Sequence, residues 1–361
     1  MGLAPERREW LDLGLPEGVL HTLQSSRAPS TVATYRVCWR VFCTWCGVHG
    51  ADPVHCGVQT VLQFLQSLLD EGKAASTLKV YASAISACHA TGSDGQLGKH
   101  PLLSRFLKGV RRLRPVRALQ VPAWDLGLVL SALGKPPFEP LDTASLQHLS
   151  WKVVFLLAVT SAKRVGELHA LSVSAECFQM GPGKSSVTLR PNSSFLPKVL
   201  SVGHVNRPLH LSAYVPSTDG EGSGDTPHVL CPVRALDAYV TRTRAIRQTD
   251  QLFVCYGDRV LGQRVSKQRL SHWLVDAIAC AYRLAGQTRP PAVVAHSVRG
   301  MATSWAQLRG VPLSDICASA SWSSPSTFTR FYRVNVVPEN LLGQAVLGVA
   351  AAPSEAVGTS L

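Results

Sequence analysis

Apolar residues in VQTVLQFLQSLLDEG fall at Val58, Val61, Leu62, Phe64, Leu65, Leu68 and Leu69. Spacings of three and four predict one amphipathic helix ending at a Gly stop. STVATYRVCWRVFCTWCGVHG before it opens with a Ser/Thr cap and runs at the same period. STLKVYASAISACHATG and PLLSRFLKGVRRLR follow after short polar turns. Four helices with short connections predict a compact helical domain over residues 30–117. Residues 1–29 alternate Pro, Gly and polar positions around one short helical stretch, PEGVLHTLQ, and read as a flexible arm.

Beyond the break RPVRALQVPAW, helical patterning resumes in DLGLVLSALG and in LQHLSWKVVFLLAVTSAKRVGELHALSV. The pattern then shifts. SSVTLR, KVLSV and RPLHLS are short β-like runs separated by turn residues. STDGEGSGDTP is a loop, after which CPVRALDAYVTRTRAI, SKQRLSHWLVDAIACAYRLAG, HSVRGMATSWAQLRG, PLSDICASASW and SPSTFTRFYRV restore helical spacing. The fold class expected is mainly α: a helical domain, then a mostly helical domain over 118–341 with a small antiparallel sheet, and a flexible tail over 342–361.

Charge narrows the partner. The 361 residues carry 36 Lys+Arg against 23 Asp+Glu, a formal +13, with hydrophobic residues at 46%. Such a globular but basic chain favours a polyanion, either nucleic acid or an acidic membrane surface. The excess is local: no acid lies between Asp94 and Asp125, where Lys99, Arg105, Lys108, Arg111, Arg112, Arg114 and Arg117 fall. That run reads as a phosphate-tracking surface. No stretch approaches the roughly 18 apolar residues of a membrane span, and MGLAPERREW lacks an apolar signal core, so an intracellular chain is expected. The cluster Cys43, Cys46, His49, His55 and Cys56 has one Cys-x2-Cys pair but no second well-spaced pair. It reads as core cysteines on a helix ahead of a zinc site.

The candidate chemistry begins at His296 and Arg299, three apart in VVAHSVRGMATSWA and therefore on one helix face. Alone, that pair reads as a capped helix end with a solvated arginine. Three further stretches align with it: TSAKRVGELHAL with Arg164 and Glu167, ASWSSPSTF with Trp322, and RFYRV with Tyr332. In this order the chain resembles the tyrosine recombinases (the phage-integrase family), whose catalytic domain carries Arg, Lys, His-x-x-Arg, His or Trp, and Tyr. More narrowly, TSAKRVGELHALSV, CPVRALDAYV and ASWSSP…RFYR look like recombinases of DIRS/Ngaro-type retrotransposons. The 30–117 segment then corresponds to the family's SAM-like core-binding domain, with Arg105, Lys108, Arg111, Arg112, Arg114 and Arg117 as DNA contacts.

The chemistry suits the residues. Cutting a phosphodiester with a protein hydroxyl needs an in-line nucleophile and cationic donors on the non-bridging oxygens. Arg164 and Arg299 offer planar forks matched to phosphate. His296 would donate to the same phosphate or accept the tyrosine proton. Trp322 is either an indole donor walling the site or a plain core aromatic. Glu167 would orient His296 or Arg164, or lie on a helix surface. Tyr332 is the nucleophile the resemblance implies. It lies ten positions after Trp322, where the family's usual nine would land on Phe331. The resemblance also implies a lysine acid on a β-hairpin, and Lys198 fits a hairpin tip better than Lys184. No metal or other cofactor is demanded. The resemblance further implies double-stranded DNA as partner, a homotetramer on synapsed duplexes, no membrane, integration of a mobile element and a nuclear location. Three alternatives stay open: a type IB topoisomerase-like relaxase, a DNA-binding protein derived from a recombinase but no longer catalytic, and a zinc-dependent regulator built on the Cys43 cluster.

Overall fold

The structure is a computed structural model that describes residues 3–90, 96–115, 124–198, 200, 205, 207–215 and 228–334. Arg117, most of the 114–124 break, the 217–227 loop and the 342–361 tail lie outside the described residues. The chain divides into two units, Met1–Leu119 and Gln120–Leu361.

The first unit holds α1 (Ala4–Asp12), α2 (Glu17–Gln24), α3 (Pro29–Val48), α4 (Val58–Asp70), α5 (Ala75–Cys88) and α6 (Pro101–Leu113). The expected four helices are α3 to α6. Their core is built from the predicted faces: Phe42 and Cys46 of α3, Val61, Phe64 and Leu65 of α4, Leu78 and Ile85 of α5, Leu103 and Val110 of α6. Burial of this kind contributes about 25 cal/mol per Å² of apolar surface and outweighs the weak intrinsic propensity of these short helices.

The flexible arm expected over 1–29 is corrected, because α1 and α2 occupy most of it and α1 packs on α5. Leu3 and Leu20 are buried, and Arg27 reaches back to Glu6 at 2.6 Å. The Pro and Gly residues there separate two helices. Pro16 is the extended residue that caps α2, and Gly14 turns at φ 70°. The cysteine cluster divides as a helix would divide it: Cys46 is fully buried while Cys43 sits half-buried. Among the described residues no group of three His, Cys, Asp or Glu is placed to hold a metal ion.

The second unit runs through α7 (Leu126–Leu133), α8 (Leu146–Ser161), α9 (Val165–His169), β1 (Phe178–Met180), β2 (Ser186–Leu189), β3 (Leu209–Ser212), α10 (Pro232–Thr243), α11 (Lys267–Leu284), α12 (Ala295–Leu308), α13 (Leu313–Ser319) and α14 (Pro325–Phe331). Helix α8 is buried on every side from Leu149 to Ala158, packed on α10, α11 and α12. Its single lysine, Lys152, is fully buried. It is paired to Glu139, which also holds Arg234 at 2.7 Å, and it donates to the Leu133 carbonyl at 2.8 Å. A buried charge persists when paired this fully.

The sheet is antiparallel in the order β1-β2-β3, with Ser186 opposite Ser212 and Leu189 opposite Leu209. The expected run KVLSV lies mostly outside the described residues; Lys198 stands in the long β2–β3 connection, and RPLHLS supplies the partner of β2, Leu209–Ser212. Strand β1 escaped the pattern because three residues are too few for alternation to show. Among the described residues no helix is long and apolar enough to cross a membrane.

Candidate active site

The single helical pattern expected from Leu146 to Val173 breaks where the chemistry begins. Helix α8 ends at Ala162 in the left-handed region, φ 50°, and Arg164 follows in extended geometry as the N-cap of α9. That break turns Arg164 off the α8 axis. Glu167, one turn into α9, accepts from the Arg164 backbone N–H at 2.7 Å. Its Oε2 also lies 3.8 Å from Arg164 Nη1 and 3.6 Å from Arg299 Nη1. Glu167 therefore braces the two arginines, and not the histidine.

Helix α12 supplies His296 and Arg299 from its first two turns. Arg299 is 3% exposed, and its Nη2 donates to the Ala320 carbonyl. Its guanidinium carbon stands 4.7 Å from the Trp322 ring centroid and 5.2 Å from that of Tyr332. Cation–π contacts of this kind contribute roughly 0.5–2 kcal/mol each, which partly offsets the cost of burying the charge. That burial, followed by the nearby charge of Arg164, brings the Arg299 guanidinium down to about 10, and Tyr332 and Glu167 act in the opposite direction. It stays charged at neutral pH. Desolvation, then Arg299, Arg164 and Lys198, push the His296 imidazolium below its usual range. A neutral imidazole beside the tyrosine results.

Tyr332 closes the group. Its ring lies 4.7 Å from His296 and 4.6 Å from Trp322, centroid to centroid. Tyr332 sits just past the end of α14, rather than on the helix itself as the sequence pattern suggested. Its N–H and that of Arg333 both bond to the Phe328 carbonyl, which stops the helix. This stop resolves the ten-residue interval from Trp322: Tyr332 turns inward at 7% exposure while Phe331 points out at 68%. Trp322 is buried against Phe328 and Tyr332 in an apolar cluster that also holds Ala162, Ile316 and Cys317. Trp322 is thus a packed aromatic whose ring also meets Arg299 and Tyr332.

Three buried donors in this group have no hydrogen-bond partner among the described residues: Arg299 Nε, Arg299 Nη1 and Trp322 Nε1. A buried unsatisfied donor costs about 1–3 kcal/mol. Their grouping around Tyr332 suits an anion with several acceptor oxygens. Beside them, Lys163, Arg164, Lys267, His296 and Arg299 line a cavity of 240 Å³.

The two candidate lysines separate clearly. Lys184 lies in the β1–β2 turn at φ 58° and pairs with Asp237 at 2.6 Å. Lys198 is exposed, within electrostatic reach of His296. On α6, Arg105, Lys108, Arg111 and Arg112 are exposed, as is Arg114 just past its end, while Leu103 and Val110 face the core.

This arrangement can be set beside known proteins. The structure of the XerH site-specific recombinase bound to palindromic difH substrate is similar over 82% of this chain and 73% of that one. The TM-score is 0.51, at 12% identity. The Tn1549 transposon integrase in complex with transposon right end DNA is similar over 82% and 85%, again with a TM-score of 0.51, at 10% identity. This is the tyrosine-recombinase fold. An integrase/recombinase xerD homolog of Selenomonas ruminantium is 32% identical over 93 residues, and it supports the same family. That match spans 25% of this chain and 27% of the relative. No protein-family model matches the sequence.

Within the recombinase fold, two residues that hold the site gave no sequence signal beyond their neighbours. Ser321 stands in the left-handed region at φ 52°, next to Trp322. Gly300 follows Arg299 where the Tyr332 backbone crosses α12. A Cβ there would stand 2.9 Å from the Tyr332 carbonyl oxygen. Ser304, one turn on, bonds both to that oxygen at 3.4 Å and to the Val334 N–H at 2.8 Å. Gly300→Ala should therefore lift the Tyr332 segment. We expect a destabilisation of about 1–3 kcal/mol from overpacking, read as a lower Tm. An unchanged Tm would mean that the segment does not lie against α12 in solution.

Proposed function

We propose that the chain is a site-specific DNA recombinase that cuts and rejoins strands through a 3′-phosphotyrosyl intermediate. The observation that carries this reading is the set of buried donors on Arg299 and Trp322 without a hydrogen bond among the described residues, gathered around Tyr332 beside Arg164. A phosphate suits several such donors at once, and a tyrosine at its edge supplies the nucleophile.

In this reading Arg164 and Arg299 hold the non-bridging oxygens of the scissile phosphate. Tyr332 Oη attacks phosphorus in line, and its proton passes to neutral His296. The bond from phosphorus to the 5′ oxygen breaks, and Lys198 gives that oxygen its proton. Attack by a 5′ hydroxyl of another strand reverses each step and frees Tyr332. The energy of the broken ester is kept in the phosphotyrosyl bond. The finer reading is integration of a mobile element of DIRS/Ngaro type, by a homotetramer on synapsed duplexes in the nucleus.

The basic face of α6, with Arg114 beyond it, follows the DNA backbone in this proposal. Neutralising Arg111, Arg112 and Arg114 should weaken binding to all sequences alike. The salt dependence should flatten by about one unit of slope per lost phosphate contact. Titration of a fluorescent duplex at several salt concentrations reads this directly, and an unchanged slope would place that face in solvent.

The deciding experiment uses a pool of nicked suicide duplexes with randomised sequence, incubated with the full chain in EDTA and denatured in SDS. A protein–DNA adduct at the 3′ end of a break supports the reading, and its sequence gives the target site. No adduct with any member of the pool would overturn it. Paired duplexes then separate recombinant joints from simple relaxation.

A further inference from the structure

We propose that Lys163 is a positioning residue of this site, holding the Ser321–Trp322 turn against the Arg164 turn. The proposal rests on the recombinase reading above.

Lys163 is the single residue between the left-handed end of α8 and Arg164. Its Nζ donates to Ser321 Oγ at 2.9 Å. Ser321 is itself left-handed, a conformation uncommon for serine that must be held by its surroundings. The residues on either side of it belong to the site: Ala320 accepts from Arg299, and Trp322 stacks on Arg299 and Tyr332. The turn is thus fixed from two directions, by Arg299 of α12 and by Lys163 of the α8–α9 break. Ala162, next to Lys163, packs in one apolar cluster with Ala320, Trp322 and Tyr332. The two turns meet through both an apolar contact and a hydrogen bond.

Packing alone does not call for a lysine here. The half-buried ammonium shares its surroundings with Arg164, Arg207 and Arg299, while Glu167 opposes that charge. Burial and the three arginines push it below the usual lysine range. A methionine would fill the same space without that repulsion. Lys163 also lines two cavities: one with Arg164, His296 and Arg299, the other with Glu167, Arg207 and Ser321. It stands in the wall between them, where a shift of its side chain is felt on the phosphate side.

The test uses a duplex recovered from the randomised pool, with adduct rate and Kd measured separately. Lys163→Met should slow adduct formation by about tenfold, the rate equivalent of one hydrogen bond to a charged group, with Kd unchanged. Ser321→Ala should give the same loss. The double variant should lose no more than either single, because both remove one contact. Lys163→Arg, which keeps a cationic donor, should recover most of the rate. A wild-type rate in Lys163→Met, or additive losses in the double variant, would overturn the proposal. Should Lys163→Met fail to fold, Ser321→Ala decides, since it removes one oxygen: slowing supports the contact and a wild-type rate overturns it. Absence of any adduct from the wild type is a separate outcome, which overturns the recombinase reading and this role with it.

Discussion

Tyr332→Phe is expected to bind DNA as tightly as the wild type and to form no covalent adduct. The contacts that hold Tyr332 belong to its ring and backbone: the rings of His296 and Trp322, the Arg299 guanidinium, and Ser304 on the carbonyl. Phenylalanine keeps all of them and removes only the attacking oxygen. The effect should be complete, because no second hydroxyl is aligned when the nucleophile of a covalent mechanism is lost. Gel shift and SDS-resistant adduct, measured on the same duplex, read binding and chemistry apart. An adduct that persists in Tyr332→Phe would assign attack to one of the other six of the seven tyrosines, and the proposed mechanism would fall.

For Arg299→Lys we expect adduct formation to drop by about 10²–10³, the usual cost of removing one transition-state donor, while binding changes little. Lysine keeps the positive charge but has neither the planar fork nor the flat face that Arg299 lays on Trp322 and Tyr332. Its three N–H groups also radiate from one nitrogen, so they cannot reach Ala320 and a phosphate edge from separate coplanar nitrogens, as Arg299 Nη2, Nε and Nη1 are placed to do. Charge alone is long-ranged and supports binding, whereas the fork acts only on correctly placed oxygens. The ratio of single-turnover rates at saturating DNA is the measurement. A loss below about threefold would show that the guanidinium geometry does not act on the phosphate.

The helices that carry a repeating apolar face could be read from the chain. Helix α4, with Val58, Val61, Phe64, Leu65 and Leu68 buried, follows its periodicity closely. Helix α1 could not be read in the same way, since APERREWLD is mostly charged or polar. It exists because Leu3 and the Arg27–Glu6 pair fasten that segment to its surroundings. The break at Ala162 was also hidden. No Gly or Pro stands between Leu146 and Val165 to mark it, and the left-handed Ala162 is held in a cluster with Ile316, Trp322 and Tyr332.

The candidate site divides along the same line. Sequence by itself offered the candidates and their order, Arg164, His296, Arg299, Trp322 and Tyr332, through the resemblance to the tyrosine recombinases, with residue types that suit phosphate. It also determined the basic face of α6, because an acid-free run keeps its charge wherever the helix lies. Tertiary structure alone decided that Tyr332 rather than Phe331 turns inward, since the Phe328 carbonyl ends α14 one residue before it. Tertiary structure also set Glu167 on the two arginines and separated Lys198 from the ion-paired Lys184. It brought Lys163 to Ser321 across 158 positions of chain. Periodicity reports which face of one element is apolar. Contacts between residues so far apart depend on how separate elements pack, and no local pattern encodes that.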